Sequence, residues 1–403
     1  MAEAAFPAPV ALRRHGLLLS STVGFIYAFR VGLTFLWFQD SPALGTVVSV
    51  GLSIALFAAT LPYTLSSERL PGHRPPMSGT LRCIFGYLVL AFVSLSWTST
   101  HSIPVALGYW TAMCADVLTV VLLLRGRDVE QETSRLMKGF VVGSASVAAI
   151  AWCAPAMGDL RLGNEDFLHP NAIGFEFAIA TLFALYLSRE GKSWRWLGAA
   201  LGTTLLRTLS KASILAFLAA AGFYLLRDSS VRRRTKLLLA VGAAAVLGTF
   251  FSLIDAYIDQ YAQGSQLETL TGRTLIWAQS LDIALEKPLL GHGFYSYRWV
   301  VPPFGVFEAW QAHDELLQQF FSYGLLGILL TVTLYWSFFR QIRRHPAHRL
   351  RTLALALLIL AVIRGLVDTD IFGLSFPLWL MAALTIGLED DRCAEATRGA
   401  YLT

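Results

Sequence analysis

The chain has 403 residues, of which 55% are hydrophobic and only 15% charged, and its mean hydropathy is +0.56. Filling one core would leave most of that apolar surface facing water, so a soluble globular protein is excluded and lipid must serve as part of the solvent. The formal net charge of +5 then reads as orientation across a bilayer, not as nucleic-acid binding.

Segments of about 20 apolar residues, each enough to cross about 30 Å of hydrocarbon as a helix, recur along the whole length. Hydropathy places spans near 17–37, 42–62, 80–97, 103–124, 139–156, 171–188, 196–209, 211–226, 237–254, 316–339, 352–367 and 371–388. The expectation is an all-α polytopic transmembrane helix bundle of about 12 spans, with 1–403 as a single integral membrane domain. Arg13 and Arg14 lead directly into the first span with no small-residue cleavage pattern, so no cleavable signal peptide is expected. Cys83, Cys114 and Cys153 fall in apolar stretches and Cys393 in a polar tail, which suggests no disulfide framework and no metal cluster.

Charge sets the direction. With the N-terminus inside, most of the 32 Lys and Arg fall in inside segments, among them Arg232, Arg233 and Arg234, and Arg340, Arg343 and Arg344. Both termini are therefore expected to be cytoplasmic. The short spans 196–209 and 211–226 could be one broken helix, but a single crossing would put RDSSVRRRTK outside, so a tight outer turn at Ser210 is preferred. The polar interval 255–315 then lies outside as one large loop, and it holds TGRTLIW (Thr271 to Trp277), PLLGHGF (Pro288 to Phe294) and the start of AHDELLQQFFSYGLLG (Ala312 to Gly327). Within it, Thr274 to Glu286 has helical periodicity with Leu275, Trp277 or Ala278, Leu281 and Leu285 on one apolar side, expected on the bundle or at the lipid interface.

This topology gathers polar residues at one depth: His169 and Asn171, Arg207 and Lys211, Arg273, His292, Arg298, His313 with Asp314 and Glu315, and Arg364 with Asp368 and Asp370. Boundary charges are costly unless paired or functional. Bland readings stand beside the functional ones. Arg207 and Lys211 can snorkel to the interface, although Lys211 opens a helix, where a cation is disfavoured. Arg273 can staple the loop through Glu268 or Asp282, His313 can be a capping neighbour, His292 can be structural, and Arg30 in the first span can pair with Glu176 or Asp116. Asp368-Thr369-Asp370 is the one hint of metal binding, and Phe294, Tyr295, Tyr297 and Trp277 offer aromatic faces to a sugar ring.

TGRTLIW, KPLLGHGF and AHDELLQQFFSYGLLG, preceded by HPNAIGFEFA (His169 to Ala178) and LSKASILAF (Leu209 to Phe217), resemble in kind and order the signature of the O-antigen ligase and Wzy-type polysaccharide polymerase superfamily. Where that family commonly has Ser-Arg and His-Asn pairs, this chain has Ser210-Lys211, a form closer to exopolysaccharide polymerases, and His313-Asp314. The resemblance implies a metal-independent, cofactor-free glycosyltransferase of GT-C type in the bacterial inner membrane, with its site facing the periplasm. It implies an undecaprenyl-diphosphate-linked glycan donor, a glycan or lipid A-core acceptor, contact with membrane lipid, and a chain-length regulator as partner, with no nucleic acid.

The bare residues agree with such chemistry. A departing diphosphate needs cations, supplied by Arg273, Lys211 and Arg207, and the acceptor hydroxyl needs a base, supplied by His313 with Asp314 or Glu315 to orient it. His169 and Asn171 complete the expected substrate-binding set. Polymerase, ligase and lipid-linked sugar transporter or flippase are the competing readings. A transporter would place charges at the midplane of several helices and show repeated halves, whereas here they cluster at one face.

Overall fold

The computed structural model describes residues 10–65, 77–124, 128–154, 161–164, 167–228, 270–304, 308–345, 349–369 and 374–400, with parts of 231–248. The described residues form helices and no strand: α1 (Val10–Phe38), α2 (Pro42–Leu65), α3 (Gly79–Ser94), α4 (Ile103–Leu124), α5 (Val129–Cys153), α6 (Pro170–Leu187), α7 (Lys192–Arg207), α8 (Lys211–Arg227), α9 (Leu270–Ala284), the single turn α10 (Tyr297–Val300), α11 (Glu315–Arg344), α12 (Arg349–Gly365) and α13 (Leu378–Ala400). Among them, six are long and apolar enough to cross a membrane: α1, α2, α4, α5, α6 and α11. Only 22% of the most apolar window of α2 is buried within the protein. Such a helix is stable only with its outer face in lipid, so the chain is an integral membrane protein. Helices α7, α8 and α12 have 16, 17 and 17 residues, short of a full crossing at about 1.5 Å per residue. The span expected at 237–254 lies largely outside the described residues.

The chain divides into two compact units. The first comprises Met1–Ser78, Thr111–Ser210 and Trp379–Thr403, and the second Gly79–Trp110 and Lys211–Leu378. In the first, α1 packs along α5, α5 on α6, and α6 on α7. A Cβ at Gly24 would strike the Leu136 carbonyl and one at Gly139 the Ser21 carbonyl, so α1 and α5 touch backbone to backbone. Between helices in lipid, such close approach substitutes for the missing hydrophobic drive. Arg30 in α1 meets Asp116 in α4 at 2.8 Å, and the Tyr27 hydroxyl donates to the Asp116 carbonyl at 2.8 Å. The carboxylate-pairing reading of Arg30 therefore holds, with Asp116 as the partner.

Helices α7 and α8 are separate. After Arg207 the chain turns through Thr208 and Leu209, and Leu209 takes φ 53°, which no helix continues through.

In the second unit α11 packs on α3, α9 and α12, and α8 packs on α12. Gly324 interrupts α11 with φ 62° and ψ −149°, which frees carbonyls of the preceding turn. The PLLGHGF turn takes them: His292 N–H donates to Phe321 O at 2.9 Å and Gly293 N–H to Ser322 O at 2.8 Å, while Leu325 N–H returns to Pro288 O at 2.8 Å. Gly291, at φ 66°, leaves no room for a Cβ against the Ser322 and Tyr323 backbone, and Gly324 none against Leu289 and Leu290. The Gly-His-Gly spacing is thus the shape of a turn pressed onto a broken helix. His292 is buried, its Nε2 at 3.0 Å from Ile283 O and its ring stacked 4.8 Å from Phe321. This is the structural role weighed for it above. Replacing Gly324 by Ala combines a strained φ with a backbone collision and is expected to cost about 2 kcal/mol or more. Gly51→Ala, with nothing within 4 Å of the new Cβ, is the neutral control in the same thermal-unfolding series. Equal midpoints for the two variants would show that the turn does not depend on the break.

Helix α9 overlaps the stretch expected to be helical, starting at Leu270 and ending at Ala284, and of the two places expected for its leucine side it leaves that side off the bundle. Ile276, Ser280 and Ala284 point inward, whereas Leu275, Leu281 and Leu285 are 52%, 44% and 56% exposed. Ser280 Oγ lies 2.6 Å from the Tyr297 hydroxyl, and Ile276 and Ala284 join Tyr297, Val301 and Phe321 in a small core. The Ser280–Tyr297 hydrogen bond and the Ile276 and Ala284 contacts together fix which side of α9 faces in.

Candidate functional site

In the second unit, α11 begins abruptly. Asp314 is its N-cap, with φ −153° and a carboxylate accepting the Leu317 N–H at 2.8 Å. Burial pushes that carboxyl up from its ordinary range, against the Leu317 and Leu316 N–H groups, which stabilise the charged form. The preceding residue, His313, is held at φ 52°. This left-handed backbone is uncommon for a residue with a side chain and tends to persist where tertiary structure over-determines it. The Trp277 indole N–H donates to the His313 carbonyl at 3.3 Å and helps fix it.

The carboxylate at His313 is Asp368, whose Oδ1 lies 3.2 Å from Nδ1. Asp368 is 1% exposed, accepts from Arg364 at 3.2 Å, from Gln311 at 3.0 Å and from the Thr369 N–H at 3.0 Å. Burial alone would raise its carboxyl, but Arg364, His313 and Arg273 together outweigh that and hold it well below the usual carboxylate range. An ionised carboxylate only accepts hydrogen bonds, so the neutral imidazole places its proton on Nδ1 and leaves Nε2 with a lone pair. Arg273 donates to the Val367 carbonyl at 2.6 Å, one residue before Asp368. Glu268, one of the staple partners considered for Arg273, lies outside the described residues.

Glu315, the first residue of α11, is buried. Its Oε1 accepts from Gln319 at 3.1 Å, and its Oε2 from Thr369 Oγ1 at 3.4 Å and from the Ser375 N–H. It therefore ties α11 to the 368–375 segment. Asp314 and Glu315, expected to orient His313, are occupied in capping and in this tie, and Asp368 stands at the imidazole. Lys211 is exposed at the first position of α8.

The first unit carries the remaining expected residues. His169 is the N-cap of α6, its Nδ1 accepting the Asn171 N–H at 3.4 Å, with Pro170 following where a proline costs no hydrogen bond. Asn171 Oδ1 accepts from Arg161 at 2.8 Å, and Arg161 Nε reaches the Thr208 carbonyl at 3.4 Å, just beyond Arg207, which is half-buried at the end of α7. A Cβ at Gly174 would meet Thr208 and Ser210 at 3.0 Å, so the HPNAIG motif lies directly on the turn before Lys211. His169, Asn171 and the end of α7 are thus brought together within one unit, and Arg273, His313 and Glu315 within the other.

Three residues in these clusters stand outside the site set expected from the sequence. Arg161 was not singled out. The sequence marks Arg364 as an outer polar residue and Asp368 as that and as a hint of metal binding, yet an opposite-charge pair four apart at the end of an apolar helix is a further signal in a chain so poor in charge. Among the described residues no three of His, Cys, Asp and Glu gather where a metal could sit, and Asp370 lies outside them.

Comparison with known proteins meets this geometry. Residues 196–332, from α7 into α11, match the family model described as O-antigen ligase. The chain is 26% identical over 299 residues to the exopolysaccharide production protein ExoQ of Rhizobium meliloti, a match covering 65% of this chain and 65% of that protein, just under two thirds of its length. It is 27% identical over 374 residues to an O-antigen ligase of Pseudomonas aeruginosa, covering 86% of each. Family model, relatives and motif order agree in one likeness: the chain is similar to the O-antigen ligases and Wzy-type polysaccharide polymerases.

Proposed function

We propose that this protein is an inner-membrane glycosyltransferase that moves a glycan from a lipid-linked diphosphate to an acceptor hydroxyl at the periplasmic face, in the manner of an exopolysaccharide or O-antigen polymerase. The observation that carries the reading is the His313–Asp368 pair, 3.2 Å apart and flanked by Arg364 and Arg273. Nε2 of His313 takes the proton of the acceptor hydroxyl as its oxygen bonds to the anomeric carbon. The bond from that carbon to phosphate breaks, and the lipid diphosphate leaves with the electron pair. Arg273 and Lys211 stabilise the leaving group, a role that cationic side chains fill without a metal ion. Undecaprenyl diphosphate as the carrier, a GT-C-type bundle of about 12 spans within one membrane domain (1–403), cytoplasmic termini and the 255–315 loop outside complete the proposal. Cysteine labelling at Ser229 and Ser265 is expected to show opposite accessibility from outside, and equal labelling would overturn this topology.

A ligase is the second reading, favoured by the longer match to a protein named O-antigen ligase. The deciding experiment offers purified protein a lipid-diphosphate glycan with and without lipid A-core: a polymerase extends the glycan in both cases and a ligase acts only with the core. In the same assay Arg273→Ala is expected to lower transfer by about ten- to a hundredfold or more with folding intact, since a charge-assisted contact in a partly dry site contributes about 1.5 to 3 kcal/mol or more. Arg273→Lys is expected to recover part of it, because a point charge replaces a planar fork. Near-normal turnover by the Ala variant would return Arg273 to a purely structural role.

A further inference from the structure

A second set of side chains lies in the second unit and takes no part in the chemistry above. The turn after the Gly-His-Gly segment projects Arg298 from α10, and its guanidinium lies 4.5 Å from the Trp310 ring centroid and 5.7 Å from that of Trp299. Arg298 donates to the Tyr295 hydroxyl at 3.1 Å, and Tyr295 is held at φ 61°, the same uncommon backbone as His313. Tyr295, Arg298 and Trp310 open onto a pocket that Tyr87, Gln318 and Tyr323 also line. Its floor is polar but satisfied within itself: Gln318 Oε1 accepts from the Ala312 N–H at 2.8 Å, and Gln319 Oε1 from the Tyr87 hydroxyl at 3.0 Å.

Two features of this pocket point outward. Trp310 is 46% exposed, so a large aromatic ring stands where a ligand can reach it. Arg298 forms no ion pair with any of the described residues, and it commits one hydrogen bond to Tyr295 while its ring contacts leave the rest of the guanidinium fork for a partner. An aromatic face stacks on the C–H side of a pyranose, and an arginine fork beside it matches a carboxylate with paired N–H donors.

We propose that Tyr295, Arg298 and Trp310 form a glycan subsite that recognises an acidic sugar residue, a hexuronate or a sugar carrying an acidic substituent. The proposal rests on the reading that this protein transfers glycan. It adds which class of sugar the protein selects and separates that selection from the His313–Asp368 chemistry. A diphosphate could also seek the fork, and the test distinguishes the two anions.

The experiment uses the full chain in detergent and follows tryptophan fluorescence on titration with a glucuronate-containing tetrasaccharide, its carboxyl-reduced neutral counterpart, and inorganic pyrophosphate. The acidic form is expected to bind about tenfold or more tightly than the neutral one. Arg298→Gln is expected to remove that preference, Arg298→Lys to keep part of it, and Trp310→Ala, an exposed change that leaves the fold intact, to weaken both sugars. His313→Ala is expected to bind both as the unaltered protein does. Equal affinity for the two sugars, or unchanged binding in Arg298→Gln, overturns the subsite. So does displacement of the acidic sugar by pyrophosphate through Arg298, which would assign this cation to the diphosphate. Lipid-linked transfer is measured separately: sugar binding through Arg298 in a protein that consumes no lipid-diphosphate donor upholds the subsite and refutes the glycosyltransferase reading.

Discussion

His313→Ala is expected to lose the transfer step by a factor on the order of 10² to 10⁴ while still binding the lipid-linked donor. The size follows from what general-base catalysis contributes when a positioned group takes a proton in the transition state. The selectivity follows from geometry: the imidazole is anchored through Nδ1 to Asp368, and its free lone pair on Nε2 has no reason to bind an anion. Only the neutral ring can accept the hydroxyl proton, and the Ala variant has no group in its place. Single-turnover rates and donor affinity, measured separately, check both parts. A variant that failed to bind donor yet turned over what it bound would make His313 a phosphate ligand, and another group would have to accept the proton.

Asp368→Asn is the second large effect, and it acts on stability and catalysis together. Asp368 and Arg364 are 1% and 5% exposed, and neutralising one member of a buried pair leaves the other charge uncompensated, at a cost of about 3 to 5 kcal/mol. The pH dependence has a definite sign. The folded carboxyl is held below its unfolded value of about 3.9, so its contribution is fully present above that value and is lost as pH falls from there toward the lower folded one. The unaltered protein is therefore expected to lose stability below about pH 4, and the Asn variant to lack this part of the acid loss. At neutral pH the amide can no longer hold the imidazolium formed during transfer. The rate constant for transfer is expected to fall with the KM for donor little changed, a split that a purely packing role would not produce. Arg364→Met with Asp368→Leu removes both charges and is expected to recover much of the stability but none of the activity. Full activity in that double variant would sink the orienting role.

What the sequence by itself determined is what depends on neighbours in the chain. The membrane setting, the all-helical class and the approximate positions of α1 to α8 follow from apolar run length. The start of α11 follows from Asp314 and Glu315, because a cap is a contact made within four residues. The motif order, and with it the likeness to O-antigen ligases and Wzy-type polymerases, was likewise a property of the string. Tertiary structure alone decided three things. It set the rotation of α9, where Ser280 turns inward to Tyr297 and the leucines are left outside, a choice between two sides that the periodicity left open. It broke α11 at Gly324 to receive the Gly-His-Gly turn, an exchange of backbone hydrogen bonds that no helical periodicity records. It brought Asp368 to His313 across 55 residues, past the adjacent carboxylates that a linear reading favours, because Asp314 and Glu315 are committed to starting α11 and tying it down while the end of α12 delivers a carboxylate already held ionised by Arg364. Hydropathy and spacing report a residue's surroundings within a turn or two of chain, and a pair made by two distant helix ends exists only once those ends are packed.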